Sequence, residues 1–210
     1  MEQTDANEIP ERALEVLAFW FQGRAFDAPG LDARMKVWFG SDDVFDAEVR
    51  QRFAPDIDLA ARGEYREWIS HPRGRLALIL VLDQFPRNVA RGTAGAFAHD
   101  GKALALTLDG IRNGLDRGLA PIERAFFYMP LQHAENLRVQ ALGVKAFRAL
   151  AERVDETRRE TFQTMAEFAE LHHDIIERFG RFPHRNAVLG REATAEEQAY
   201  LGNGAPDFGQ

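Results

Sequence analysis

The chain has 210 residues, enough for one domain that buries a core without disulfide or metal staples. Hydrophobic residues at 45% and charged residues at 28% exclude disorder for the bulk, and the lack of cysteine excludes disulfides, thiolate catalysis, thiolate zinc sites and iron–sulfur clusters. A net charge of -7 speaks against a broad nucleic-acid or acidic-membrane footprint.

The first eight residues are acidic and hold no apolar stretch, so they do not read as a secretory signal. The longest apolar run, Leu76 to Leu82, is far short of the roughly 20 residues that span a bilayer. A soluble, cytoplasmic protein is expected. Only Lys36, Lys102 and Lys145 are lysine, and the other basic residues are arginine. Only an arginine's placement therefore counts as a functional signal.

In chain order, Pro10 opens a first helix with Ala13, Leu14, Leu17 and Phe21 at helical spacing, and Gly23 is its stop. A short helix is expected over Leu31–Phe39. Asp42 and Asp43 give an N-cap signal for the stripe Phe45, Val49, Phe53, which Pro55 should interrupt or kink before Ile57 resumes it up to Gly63. Leu76–Leu82 is apolar on every face. Leucine and alanine dominate it, so it reads as a helix at the centre of the domain. Asp100–Leu115, a helix opened by Pro121, Asn136–Val154 and Thr157–Phe179 follow, the last stopped by Gly180. Thr194 with Glu197 forms a capping box for a final short helix. No strand alternation appears. The prediction is an all-α fold of about eight or nine helices in antiparallel pairs, one domain over residues 1–201, with a frayed tail over 202–210.

Three polar segments adjoin the most apolar helices. Asp83 directly follows the apolar run, and Arg87, four residues on, would pair with it if the backbone stays helical past Pro86. Tyr128-Met129-Pro130-Leu131-Gln132-His133-Ala134-Glu135 puts a proline inside a helix. His133 and Glu135 are two apart, so they diverge on the helix and cannot share a metal. The densest segment runs from His172 to Asn186. Its helix buries Phe162, Met165, Ala169, Ile176 and Phe179, which leaves His172 and His173 on the borders of that stripe and lets Asp174 pair with Arg178. Arg181, His184, Arg185 and Asn186 follow the helix stop as a cationic, donor-rich cluster around Pro183, and arginine forks suit carboxylates and phosphates. Each residue also has a plainer reading, as a helix-end ion pair or a cation facing a helix dipole. No nucleotide loop, dinucleotide fingerprint, nucleophile elbow or zinc-protease motif is present.

Together the three segments resemble the bacterial family catalogued as domain of unknown function number 924. The resemblance runs from Val16-Leu17-Ala18-Phe19-Trp20-Phe21 to about Leu201. It is carried by the stretch Arg75 to Asn88 and by Arg178-Phe179-Gly180-Arg181-Phe182-Pro183-His184-Arg185-Asn186. Gln132 stands where the family more often has an acidic residue. The family is grouped with tetratricopeptide-like folds, so the resemblance implies antiparallel helix pairs stacked in a curved array. It implies no activity, because none is established for the family.

The leading expectation is a pocket where Asp83, Arg87, His133, Glu135, His172, Arg181, His184, Arg185 and Asn186 converge. It would bind a small anionic molecule or a peptide carboxylate through Arg87, Arg181 and Arg185. His172 or His184, oriented by Asp83 or Glu135, would be the general base if the site is catalytic. No cofactor and no metal is expected. The rival is a tetratricopeptide-like interaction scaffold without catalysis, its polar motifs sealed in local networks. A third option is self-association through Phe19, Trp20, Trp38 or Trp68.

Overall fold

Helix α1 (Glu11–Phe21) follows Pro10 and buries Ala13, Val16, Leu17, Phe19, Trp20 and Phe21. This is a computed structural model, and it describes residues 8–22, 28–40, 42–206 and 208. The expected stop at Gly23 lies outside them; the last turn is closed by Gln22 in the left-handed region, at φ 52°. α2 (Ala28–Phe39) follows. α3 (Asp43–Arg62) starts where the N-cap signal put it, with the Asp42 carboxylate accepting from the amides of Val44 and Phe45. The interruption expected at Pro55 does not occur. Phe53 and Ile57, on either side, are both buried and hold the two halves against one core.

α4 is the central helix and has three parts. Pro72–Ile79 is α-helical, Leu80–Gln84 is a π turn, and Phe85–Val89 returns to α. Pro86 has no N–H to give the carbonyl four residues back, and its ring crowds that position, so the wider turn falls where the ordinary ladder cannot continue. No residue from Leu76 to Leu82 is more than 4% exposed. Arg75, itself buried, ties α4 to its neighbour by donating to Asp109 and to the Leu106 carbonyl.

α5 (Asp100–Arg112), α6 (Pro121–His133), α7 (Leu137–Arg153), α8 (Glu156–Phe179) and α9 (Ala195–Gly202) complete the fold. Short 3-10 turns lie at Arg66–Trp68, Ala94–Phe97 and Pro183–Arg185. Among the described residues there are nine helices and no strand, so the fold is all-α as the sequence predicts. α6 passes through Pro130 and ends at His133. α7 is a separate helix, begun by the Asn136 side chain accepting from the Val139 amide. α5 and α6 meet at Gly110, where a Cβ would lie 2.4 Å from the Phe127 ring. Phe19, Trp20, Trp38 and Trp68, the aromatics considered for self-association, are at most 7% exposed and belong to the core. No helix among the described residues is long and apolar enough to cross a membrane.

Candidate functional site

α2, the C-terminal half of α4, α6, α8 and the Pro183–Arg185 turn enclose a cavity of about 750 Å³. Arg87, His133, His172, His184 and Arg185 all line it, so five of the predicted residues do converge. The lining also carries Lys36, Arg91, Gln84, Asn88 and Gln132, and among the described residues it contains no carboxylate.

The carboxylates stand behind the wall. Asp83 is fully buried. It pairs with His133 Nδ1 at 2.8 Å and accepts from Gln84 Nε2 at 2.6 Å. Asp100 receives both arms of Arg87, at 2.9 and 3.0 Å, and Arg185 at 3.3 Å. Asp46 receives Asn88 at 2.7 Å and Arg91 at 2.8 Å. Gln84, Arg87, Asn88, Arg91, His133 and Arg185 are thus held from the rear, as supporting hydrogen bonds hold a preorganised site.

The local ladder explains the first pair. The i,i+4 relation of Asp83 and Arg87 survives the π turn: the guanidinium donates to the Asp83 carbonyl, and the ionic groups lie 3.6 Å apart. Burial alone would push the Asp83 carboxyl up, but Arg87 and His133 outweigh it and hold it well below its usual range. Burial, then Arg87, pushes His133 down against the opposing pull of Asp83, so the ring favours its neutral form. With Nδ1–H given to the carboxylate, Nε2 is the basic nitrogen. Burial pushes His172 down to about 3, and its Nδ1 donates to the Phe168 carbonyl at 2.6 Å.

Arg185 is only 6% exposed and is sandwiched between the rings of Phe97 and Phe182, each 4.4 Å from the guanidinium carbon. It donates to Asp100 and to the His133 carbonyl, while its buried Nε has no partner. Burial and the nearby Arg87 bring its pKa down to about 10.

Three predicted residues go elsewhere. Arg181 donates to the Glu197 carboxylate at 2.7 and 2.8 Å, and Asn186 donates to the same group at 3.3 Å. Glu135 accepts from the Phe182 amide and from Arg191, so it orients no histidine. Arg178 pairs with Glu196 and not with Asp174.

The family model described as "Bacterial protein of unknown function (DUF924)" matches residues 16–205. The chain belongs to the DUF924 family. It is also similar to a solved structure of a protein of unknown function from Agrobacterium tumefaciens, at 37% identity, covering 92% of this chain and 98% of that one, with a TM-score of 0.77. No curated protein matches the chain.

In this DUF924 chain the imidazole oriented by Asp83 is His133, whereas the sequence pointed to His172 or His184 as the base. His184 packs its ring on Phe182 and Phe208, at 5.5 and 5.2 Å. Phe208, in the stretch expected to fray, also lies 4.1 Å from the His172 ring. Sequence reasoning missed Asp46 and Asp100, which read only as acidic residues in first helical turns, and it missed the apolar half of the wall. A metal-capable group of His173, Asp174 and Glu177, with ligand atoms within 4.8 Å of one another, is not among the cavity-lining residues. Asp174 and Glu177 are exposed, and such solvated clusters are common without an ion.

Proposed function

We propose that this DUF924 protein binds a small anionic molecule, or the carboxylate of a peptide, in the cavity beside Arg87 and Arg185. The observation that carries this reading is the one-sided wall, with cations, histidines and amides in front and Asp46, Asp83 and Asp100 behind. Such a surface offers donors to an anion and no repelling carboxylate. His133 would then supply acid–base chemistry: its Nε2 can take a proton from a bound water or substrate while Asp83 stabilises the imidazolium that forms. A hydrolytic reaction is the simplest fit. We place this activity in the cytoplasm, in keeping with the cysteine-free sequence.

The rival, a tetratricopeptide-like scaffold, needs every polar motif sealed in a local pair. Only the part around Glu135, Arg181 and Glu197 behaves so. A thermal-shift panel of small mono- and dicarboxylates, phosphate and phosphorylated metabolites tests the proposal. A ligand at one hundred times its dissociation constant stabilises by about 2.7 kcal/mol. The shift should vanish in Arg87→Met. A panel with no response would leave the scaffold reading.

A further inference from the structure

α6 and α8 present the same order of residues to the cavity. On α6, Met129 precedes His133 by one turn; on α8, Met165 and Phe168 precede His172 by about two turns and one. The links through α7 are short, Ala134 to Asn136 and then Val154 to Asp155. Each link reverses the chain, so α6 and α8 run parallel. The rings of His133 and His172 lie 6.3 Å apart, which sets the two stripes in register. The histidines therefore share one end of the cavity and the methionines the other. α2 joins the methionine end: Asp32 accepts from Thr161, one turn before Met165, and Met35 comes one turn after Asp32. All three methionines after Met1 line this one cavity, and methionine adapts to irregular apolar ligands. Two large aromatics of the wall, Phe39 and Phe168, are left 49% and 48% exposed.

We infer that the cavity takes a carboxylate bearing a bulky apolar group, its anionic end beside Arg185 and His133 and its apolar body against Met35, Met165 and Phe168. This rests on the anion-binding reading and adds the ligand class.

The test is calorimetric titration of the full chain with acetate, butanoate, octanoate, 3-phenylpropanoate and 1-octanol. Each added methylene should tighten binding about fourfold until the cavity is filled. Octanoate and 3-phenylpropanoate should both bind at least about a hundredfold tighter than acetate. Phe168→Ser, at an exposed position, should weaken octanoate about tenfold and leave acetate unchanged. Equal affinities for acetate and octanoate overturn this inference and leave the anion site standing. Octanol binding as tightly as octanoate, or no carboxylate binding at all, overturns the anion reading and this inference with it.

Discussion

The Pro183–Arg185 turn separates two polar networks made of the same kinds of residue. On one side, Glu197 and Glu135 are hubs that their neighbours fill. Glu197 takes Arg181, Asn186 and the Thr194 amide, and Glu135 takes Arg191 and the Phe182 amide. On the other side the carboxylates lie behind, and their partners Arg87, His133 and Arg185 keep unused donor or acceptor capacity at the cavity. The residue types do not distinguish a fastening from a site. What distinguishes them is whether the hydrogen-bonding capacity closes within the chain or is left over at a solvent-reachable surface.

The largest expected effect is on the rear support. Asp83→Ala leaves Arg87 buried without that charge and strips His133 and Gln84 of their acceptor. Removing one partner of such a buried arrangement costs about 3–5 kcal/mol. Urea melts check it. A cost under about 1 kcal/mol would mean that the pocket network is as loosely held as a surface pair and would erase the contrast.

Acid sharpens the comparison next. His172 is pushed down to about 3 and His133 is also lowered, both from 6.5. Between pH 6.5 and those lowered values the unfolded chain binds protons that the folded one refuses. Stability is thus complete above 6.5 and falls as the pH drops through this window, by up to about 1.4 kcal/mol per pH unit per group. Glu135 and Glu197 are lowered from 4.5, so their contribution is present above that value and is lost only below it. Between pH 6.5 and 4.5 the slope belongs to the histidines: His172 and His133 in the pocket, and His71 at the start of α4, lowered from 6.5 by burial and by Arg73. Urea midpoints at pH 7, 6, 5 and 4 should show it, and His172→Gln should lessen it. An unchanged slope in that variant would take His172 out of the buried neutral network.

Local signals made the helices legible. Asp42, Gly63, Gly180 and the Thr194–Glu197 box act within one turn of themselves, and each marks an end the structure has. The central helix was legible from leucine and alanine content, and its burial from having no polar face. The π turn was not, although Pro86 holds the reason for it. Within the site, Asp83 with Arg87 shows as an i,i+4 spacing. Asp100 with Arg185 cannot show, because the pair is 85 positions apart and forms only once α5 has packed. The same limit merged two networks into one cluster: from Arg181 to Asn186 the sequence gives the cations and hides which side of the turn each one faces.

The two arginines of that cluster make the next comparison. Burial has lowered the Arg185 pKa, so the fold does not favour its charge, and Asp100 keeps both arms of Arg87 without it. Arg185→Met should change apo stability by less than about 1 kcal/mol, in either direction, as relief of a strained functional group does. Its carboxylate affinity should fall about tenfold or more, the worth of a charge-assisted hydrogen bond. Arg181→Met should do the reverse, lowering the urea midpoint and leaving carboxylate affinity unchanged. The opposite pattern in the pair would exchange the roles given to the two networks.

The smallest effect should come from Phe208→Ala. The ring packs on His172 and His184, contacts worth about 0.5–1.5 kcal/mol in aromatic pairs. Phe208 also sits at φ 55°, a left-handed conformation that costs a residue with a Cβ about 1–2 kcal/mol. Alanine at the same φ keeps most of that strain and loses only the contacts. Chemical melts should therefore register a loss of about 0.5–1.5 kcal/mol. Binding is the more telling readout. The ring lines the histidine end of the cavity, away from the Met35, Met165 and Phe168 wall given to the ligand's apolar body, so the variant should bind 3-phenylpropanoate within about twofold of the unaltered chain. A loss of 3-phenylpropanoate affinity of about tenfold would place the ligand's ring against Phe208 and take its apolar body off the methionine end.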